Sequence, residues 1–569
     1  MNITSCNCDN IINEHNIKGI IVILDKLRCT NAVTTLLKLN IVPDPDPNIT
    51  RTATINHVLF NHQLLDTYAR TNLYNALCKR NIIIPAHDRI HDAIQNGLFV
   101  TNMRMISNFT VTDDDIKCCT SLTKLDISSN MSPITTLAPF AKTLHILIIS
   151  TYSNVCLIND DSLSSCTEII ELDATRYSKI TTCAPFAKSL KILYADMYTS
   201  RLVGCNIIEK ENCGITNYGL SLCTNIEILY ATDNIHISTC DPFANTLKIL
   251  YAGGHCKIAD DGLSLCTGIL QLYASNNAGI TTCEPFAHTL KILHTDYTCG
   301  ITDTGLYLCT EIDELHASDH PYITTCAPFA HSLKKLDACC MYSDVTDEQS
   351  HQYISDAGLS LCTIICELNA NNNPKITTCA PFAKSLKILH TTRSSGISDA
   401  GLSMCISITE LHVDNNPKIT TCEPFAKTLI KLCAWGDSGG ICDKGLSCCT
   451  AITNLNASCN PKITTCQPFA KTLKVLDVSH WQYKHTYCGI DDAGLKMCHR
   501  IKKLCADNNR QITTCAPFAS TLRTLSARGN CGICNDGLRL CNSLTSIDID
   551  DNKKIDKNYI KSLNKNMHS

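Results

Sequence analysis

Apolar residues recur along most of the chain in blocks of six, with apolar or small residues at positions one, four and six. The block at 269–274 is Ile-Leu-Gln-Leu-Tyr-Ala, and the block at 290–295 is Leu-Lys-Ile-Leu-His-Thr. Neighbouring side chains of a strand point to opposite faces, and positions three to six alternate in this way. We predict short strands whose positions one, four and six face inward and whose positions two, three and five face outward. Ten blocks of the first kind and nine of the second predict about 19 parallel strands.

Two longer motifs alternate with these blocks and give the chain an internal repeat. A Pro-Phe-Ala step recurs 43 residues apart at Pro285 and Pro328, and a Gly-Leu step recurs at the same spacing at Gly262 and Gly305. Proline suits the start of a helix, where its missing N–H leaves no bond unmade. Asp or Asn stands two residues before each Gly-Leu step and suits a helix N-cap. We predict a short helix or 3₁₀ turn after each strand, and stacking of the repeats into one solenoid.

The repeat resembles the leucine-rich repeat. The first motif is L-x-x-L-x-A followed by Asn at position nine, as at Asn277 and Asn416, and the second is G-I-x-D-x-G-L-x-L-C, as at Gly300–Cys309. The second motif is similar to the cysteine-containing subclass of F-box leucine-rich-repeat proteins. The resemblance covers residues 111–552. It implies an α/β solenoid, a leucine-rich-repeat horseshoe, between a small helical N-terminal region at 1–110 and a C-terminal cap or tail at 553–569.

The same subclass implies a role for residues 1–110. In F-box proteins this region binds the linker subunit of a cullin-type ubiquitin ligase, and the repeats select the substrate. Residues 56–79 and 86–97 have the apolar spacing of helices, but the Leu-Pro opening typical of an F-box is not found, so any F-box here is divergent. The near-identical repeats, rich in Asn, Ile and Cys, also resemble repeat proteins of amoebae and of the large DNA viruses that infect them.

Charge and targeting patterns restrict the partners and the compartment. Lys and Arg number 49 against 53 Asp and Glu, so the basic excess of a nucleic-acid or membrane binder is missing. The N-terminal residues show neither a basic nor an apolar signal region, and no apolar run approaches the roughly 20 residues of a membrane span. We expect a cytoplasmic protein, or one of the host cytoplasm if it is viral, that binds neither nucleic acid nor membranes.

The chain contains 39 cysteines, most of them in two columns. One column follows each Ile-Thr-Thr, as at Cys283, and the other ends each Gly-Leu block, as at Cys309. Members of one column lie two repeats apart, about 10 Å, whereas a disulfide needs Cα atoms within about 7 Å. We predict buried, reduced thiols. Zinc is not expected, because Cys531-Gly-Ile-Cys534 has no second pair at a familiar spacing. A cysteine-based metal or redox protein remains an alternative.

The outward positions of the strands, expected to line the concave face, carry the candidate binding residues. Position five is aromatic or imidazole on six successive strands, and a second run of two follows after Asp337 and Asn369. Tyrosine is a frequent interface anchor, although copied repeats also copy residues that bind nothing. The histidine pairs are predicted on adjacent strands, with no metal site assigned. The residues at position five are Tyr194, Tyr230, Tyr251, Tyr273, His294, His316, His390 and His412, and those at position two include Lys191, Lys248 and Lys291.

Three insertions mark one edge of the array. The repeat lengthens around residues 197–213, 340–353 and 480–488, always after the second strand of a repeat pair and before the Gly-Leu block. Insertions at one position of a solenoid emerge on one edge, often the binding side. The third insertion carries Trp481 and Tyr483. We predict that this edge and the aromatic residues form one surface for a protein partner.

Catalytic motifs do not emerge. The chain lacks G-x-x-x-x-G-K-[ST], H-E-x-x-H and G-x-G-x-x-G. Gly436-Asp-Ser-Gly-Gly440 matches G-x-S-x-G and looks like the nucleophile motif of trypsin-like proteases, but the repeat places Ser438 in a loop after a strand rather than on the strand–turn–helix that the motif requires. We expect a non-enzymatic interaction scaffold without a cofactor.

Overall fold

The computed structural model describes residues 102–104, 112–117, 119–128, 134–149, 156–197, 213–340, 353–480, 487–556 and 559–560. The chain divides into two compact units, Met1–Leu272 and Tyr273–Ser569. The helices predicted at 56–79 and 86–97, and with them any F-box, lie outside the described residues.

Both units are built from strands of three residues. In the first unit β1 to β7 pair in chain order, each parallel to the next, and in the second β9 to β20 do the same. Strand β8 spans the limit between the units. The strands are β1 Asn102–Arg104, β2 Lys124–Asp126, β3 Ile146–Ile148, β4 Glu171–Asp173, β5 Ile192–Tyr194, β6 Ile228–Tyr230, β7 Ile249–Tyr251, β8 Gln271–Tyr273, β9 Ile292–His294, β10 Glu314–His316, β11 Lys335–Asp337, β12 Glu367–Asn369, β13 Ile388–His390, β14 Glu410–His412, β15 Lys431–Cys433, β16 Asn454–Asn456, β17 Val475–Asp477, β18 Lys503–Cys505, β19 Thr524–Ser526 and β20 Ser546–Asp548.

One short helix or 3₁₀ turn separates most consecutive strands. The α-helices are α1 Asp113–Ile116, α2 Asp160–Leu163, α3 Asn217–Leu220, α4 Asp260–Leu263, α5 Asp356–Leu359, α6 Asp399–Leu402, α7 Asp443–Leu446 and α8 Asp492–Leu495. The 3₁₀ turns are Ala138–Phe140, Ala184–Phe186, Asp241–Phe243, Glu284–Phe286, Thr304–Leu306, Ala327–Phe329, Ala380–Phe382, Glu423–Phe425, Gln467–Phe469, Ala516–Phe518 and Asp536–Leu538.

These elements confirm the predicted fold class, a leucine-rich-repeat solenoid of short parallel strands with short helices and 3₁₀ turns. All 19 predicted strands are present as β2 to β20, and β1 precedes them at residues 102–104. The extra strand pairs with β2 in parallel, although its sequence Asn-Met-Arg carries no apolar block. The domain limits at 110 and 552 stay predictions. Among the described residues, no helix has the length and apolar character needed to cross a membrane.

The core of each repeat is built from the positions that the pattern placed inside. In the block at 290–295, Leu290, Leu293 and Thr295 are buried, while Lys291 and His294 are half-buried. Every Pro-Phe-Ala step forms a 3₁₀ turn with proline among its first residues and phenylalanine fully buried. Burying one such ring is worth about 1.5–3 kcal/mol, so a column of them stabilises the stack along its length.

The asparagine at position nine satisfies backbone groups where the chain leaves the strand, as predicted. Asn416 is fully buried. Its Nδ2 donates to the carbonyl of Thr391 at 2.7 Å, and its Oδ1 accepts from the N–H of Lys418 at 2.9 Å. Asn234, in the other unit, makes the equivalent bonds: its Nδ2 donates to the carbonyl of Ala195 in the repeat before it, and its Oδ1 accepts from the N–H of His236 in its own repeat. One side chain therefore fixes a turn within its own repeat and joins it to the previous one.

The prediction that the Asp before each Gly-Leu step caps its own helix is wrong. Asp399 is the first residue of α6 rather than its N-cap, and Ser398 precedes it in extended conformation. The carboxylate of Asp399 reaches the next repeat instead. Its Oδ1 accepts from the N–H groups of Thr420 at 2.8 Å and Thr421 at 3.3 Å, and its Oδ2 from the Thr420 hydroxyl at 2.6 Å. A cap would stabilise one helix, whereas this contact holds two repeats together.

The same cross-repeat contact recurs in both units. Asp160 binds Thr181 in the first unit, and Asp443 binds Thr464 in the second. Asp303 does stand at the cap position of its turn, yet its side chain makes no cap bond and binds Thr324. The recurrence of an acidic residue before the Gly-Leu step is thus explained by its bonds to the Ile-Thr-Thr segment of the following repeat.

The two cysteine columns lie against each other. Cys183 lies near Cys223, and the interaction of the two thiols together with burial holds the pKa of Cys183 well above its ordinary value. The same interaction lowers the pKa of Cys223. Cys379 and Cys405 form the equivalent pair in the second unit. All four are buried free thiols. The separation within one column was predicted, but the contact between the columns was not.

Candidate functional site

Three tyrosines of the first unit form a stacked row on the outward face of the sheet. Tyr194, Tyr230 and Tyr251 end β5, β6 and β7, and the parallel register sets each directly beside the next. Ring centroids are 4.2 Å apart in both pairs, with interplanar angles of 12° and 10°. Each ring is half-buried. We call these three residues the tyrosine row.

Stacking in the tyrosine row covers both faces of the Tyr230 ring and one face of each neighbouring ring. Burial and the neighbouring Tyr251 and Tyr194 raise the pKa of Tyr230. Burial and the nearby Glu171 raise the pKa of Tyr194. The Tyr194 and Tyr230 hydroxyls therefore stay protonated at neutral pH and can donate as well as accept hydrogen bonds.

The second unit carries two further stacks at the same strand position. Tyr273 stacks on His294 with centroids 4.4 Å apart, and His294 stacks on His316 at 3.9 Å with an interplanar angle of 9°. His390 and His412 stack at 4.1 Å and 11°. The two histidine pairs lie on adjacent strands, as predicted. Binding by these rings stays a prediction.

Burial sets the protonation of His294. Desolvation and the adjacent His316 lower the pKa of His294 to about 4, and the nearby carboxylates of Asp296, Glu314 and Asp337 oppose the shift only in part. His316 itself binds Glu314, with 2.9 Å between Nε2 and Oε1, and its Nδ1 lies 4.0 Å from Asp337 Oδ2. At neutral pH the stack therefore contains a neutral imidazole at His294.

We expect the folded protein to lose stability between pH 6.5 and pH 4 because of His294. An unfolded histidine takes up a proton near pH 6.5, whereas folded His294 does so only near pH 4. The contribution of neutral His294 is complete above pH 6.5 and is lost as the pH falls through this window. After allowance for the partly exposed ring, the loss is about 1–2 kcal/mol. Denaturant titrations at pH 7.5 and 4.5 measure it.

A matched histidine provides the control for this titration. His294→Gln should reduce the pH dependence between the two conditions, because the variant lacks the imidazole at position 294 whose pKa is lowered to about 4. His288 is exposed on the same repeat, and His288→Gln should keep the wild-type slope. Equal slopes in all three proteins would contradict the assignment to His294.

The lysines at position two are partly neutralised. Lys191 binds Glu227, and Lys291 binds Glu311, each at 2.7 Å. Lys248 directly precedes β7 and is half-buried. Because the bridged side chains are about half exposed, each pair contributes roughly 0–1 kcal/mol and can open for a partner.

The insertion edge cannot be placed beside the stacked rings from the described residues. Trp481 and Tyr483 lie outside them, as does most of each insertion. The predicted surface formed jointly by this edge and the rings stays a prediction.

Two groups of side chains in the second unit are arranged so that they could hold a metal ion. In one, ligand atoms of His294, Glu314 and His316 lie within 4.8 Å of one another. In the other, those of His412, Asp414 and Cys433 do so.

Sequence reasoning missed Asp414 and Cys433. The position-five series, continued by one strand beyond His412, reaches Cys433, so the signal was present. Asp414 follows the strand and carries no signal of its own.

Comparisons with known proteins find matches among solved structures, whereas no protein-family model and no curated protein matches the chain. Among solved structures, an internalin (inlF) from Listeria monocytogenes is 17% identical over 62% of this chain and 96% of its own, with a TM-score of 0.37. An internalin C2 (inlC2) from the same species is 21% identical over 36% of this chain and 75% of its own, with a TM-score of 0.24. The repeat geometry described above, rather than these likenesses, defines the fold.

Proposed function

We propose that the protein is a non-enzymatic scaffold that binds a protein partner through the outward face of its parallel sheet. The observation that carries this proposal is the tyrosine row: three half-buried, stacked rings on the outward face of the sheet. Stacked rings are held rigid by their neighbours, so a partner that packs on them loses little further side-chain entropy.

The chemistry of this face favours a protein over other macromolecules. Tyrosine gives a large apolar contact area together with a hydroxyl that can donate or accept. Lys191, directly before the strand of Tyr194, is bridged to Glu227, so its positive charge is partly neutralised and attracts a phosphate backbone less. A partner with a mixed apolar and polar surface fits best. A role as substrate receptor of a ubiquitin ligase depends on residues 1–110 and stays a prediction.

Removing rings from the tyrosine row should reduce partner capture. We expect the double variant Tyr230→Ala/Tyr251→Ala to capture about one tenth of the wild-type amount of partner, or less. Truncation of an aromatic residue that anchors an interface typically costs about 2 kcal/mol or more of binding free energy. The measurement is quantitative affinity purification from cytosol, with tagged full-length protein and proteins identified by mass spectrometry. Melting temperatures of the purified variants verify that they fold.

Tyr218 supplies the matched control. It lies on α3, away from the strands, and is 86% exposed. Tyr218→Ala removes the same side chain from a different surface and should leave capture unchanged. If the double variant retained the same proteins in the same amounts as the wild type, the sheet face would not be the binding surface.

A further inference from the structure

Three side chains of different chemistry converge where β14 and β15 end. His412 is the last residue of β14, and Cys433, the last residue of β15, stands directly opposite it in the parallel register. Asp414 follows His412 by two residues. An imidazole nitrogen, a carboxylate oxygen and a sulfur lie here within 4.8 Å of one another. Nitrogen, oxygen and sulfur are the three donor types that zinc accepts in proteins.

The group is shielded from solvent more than a surface cluster would be. Asp414 is 8% exposed, the His412 side chain is 18% exposed, and Cys433 is half-buried. Two acidic side chains lie side by side in this largely buried place, and a dication between them compensates the cost of their negative charges.

Neighbouring groups orient two of the three ligands. Glu410 Oε1 lies 2.7 Å from Nε2 of His412, which leaves Nδ1 as the ring nitrogen for a cation. The backbone N–H of Trp435 donates to Oδ1 of Asp414 at 3.0 Å. A carboxylate that holds the second nitrogen of a ligand histidine is the usual support of a metal site.

The position of the nearest lysine distinguishes this group from the one around His316. At His316, Lys335 Nζ lies 3.6 Å from Oε2 of Glu314, which would itself be a ligand, so the lysine competes with a metal. At His412, the ion pair of Lys431 is with Glu410, at 2.5 Å, and Glu410 is the supporting carboxylate rather than a ligand.

We propose that His412, Asp414 and Cys433 bind one divalent ion of the zinc class. The mixed set of one nitrogen, one oxygen and one sulfur favours Zn²⁺ over Mg²⁺ or Ca²⁺, which prefer oxygen alone. Three protein ligands leave the fourth position of a tetrahedral ion for water or for a side chain of a partner. The site is a property of the second unit and does not depend on the tyrosine row.

Cobalt provides a direct test, because a cobalt–thiolate bond absorbs where the protein does not. Full-length protein, reduced and treated with chelator, is titrated with Co²⁺. We expect one equivalent to bind with a thiolate-to-cobalt charge-transfer band, and Zn²⁺ to remove the band. Cys433→Ser should abolish the band and weaken Zn²⁺ binding at least about tenfold, since even loss of a supporting residue costs 10–100-fold. Asp414→Asn, which keeps the size of the side chain, should weaken binding as well.

Cys505 is the matched control. It also ends a strand, β18, is half-buried, and has Asp507 two residues later with 3.8 Å between sulfur and Oδ2. Its neighbour on β17 is Asp477 rather than a histidine. Cys505→Ser should keep the band and the affinity. The proposal is overturned if the wild type shows no band, if folded Cys433→Ser keeps it, or if Cys505→Ser loses it equally.

Discussion

Gly401→Ala should destabilise the second unit by about 2–4 kcal/mol. A Cβ at Gly401 would lie 2.0 Å from the carbonyl oxygen of Thr377 in the preceding repeat. The Gly401 carbonyl also accepts from the N–H of Cys379 at 3.0 Å. The helix can make room only by moving away from that repeat, which adds the loss of a backbone hydrogen bond to the overpacking cost of 1–3 kcal/mol. Chemical denaturation monitored by circular dichroism measures the shift.

Gly439 is the control for this substitution, because it is a glycine of the same unit with space around it. The nearest atoms to a Cβ at Gly439 are 3.8 Å away, which is ordinary van der Waals contact. Gly439→Ala should change the stability by no more than about 0.5 kcal/mol. Similar losses of stability in the two variants would show that the close approach at Gly401 does not determine the destabilisation by Gly401→Ala.

Asn416→Ala should be at least as damaging, with an expected loss of about 2–5 kcal/mol. The substitution leaves the carbonyl of Thr391 and the N–H of Lys418 without their side-chain partner. Each buried group left unpaired costs about 1–3 kcal/mol. Asn416→Asp should also destabilise, because a carboxylate cannot donate to the Thr391 carbonyl and carries a charge into a buried place. The midpoint of denaturation in urea measures both variants.

Asn542 serves as the comparison for the asparagine experiment. Its side chain is exposed, and Asn542→Ala should shift the stability by no more than about 0.5 kcal/mol. If Asn416→Ala fell within the same range, water would have to satisfy the groups that Asn416 binds, and the asparagine column would not be a structural requirement.

The fold could be predicted from the sequence because the same pattern recurs in every repeat along the chain. A leucine at position four and an asparagine at position nine each have one physical reason, burial and backbone satisfaction, and that reason acts within one repeat or on the next one. The acidic residue before the Gly-Leu step was misassigned for the opposite reason. Asp399 has the local features of a cap, and only the position of Thr420 on the neighbouring repeat shows what it binds.

The candidate site was predictable only as far as the strand register could be read from repeat spacing. Blocks at a constant offset stack in register, so the rings at position five, such as Tyr230 and Tyr251, could be placed beside each other. The convergence of Asp414 and Cys433 depends on a residue beyond the strand and on how deep the side chains lie. Contact between the two cysteine columns depends on side-chain direction in two different repeats. The 43-residue spacing of the repeats determines neither the depth nor the direction of these side chains.

Because aspartate, asparagine and glycine each bridge to an adjacent repeat at fixed offsets, the joints between repeats are interchangeable. Loss or gain of two successive repeats, 43 residues in all, by recombination within the gene would bring equivalent atoms together at the new junction. The length of such a protein can therefore change in evolution without a search for new packing, while the residues that differ between copies, such as Cys433, are the ones through which a particular array acquires its own chemistry.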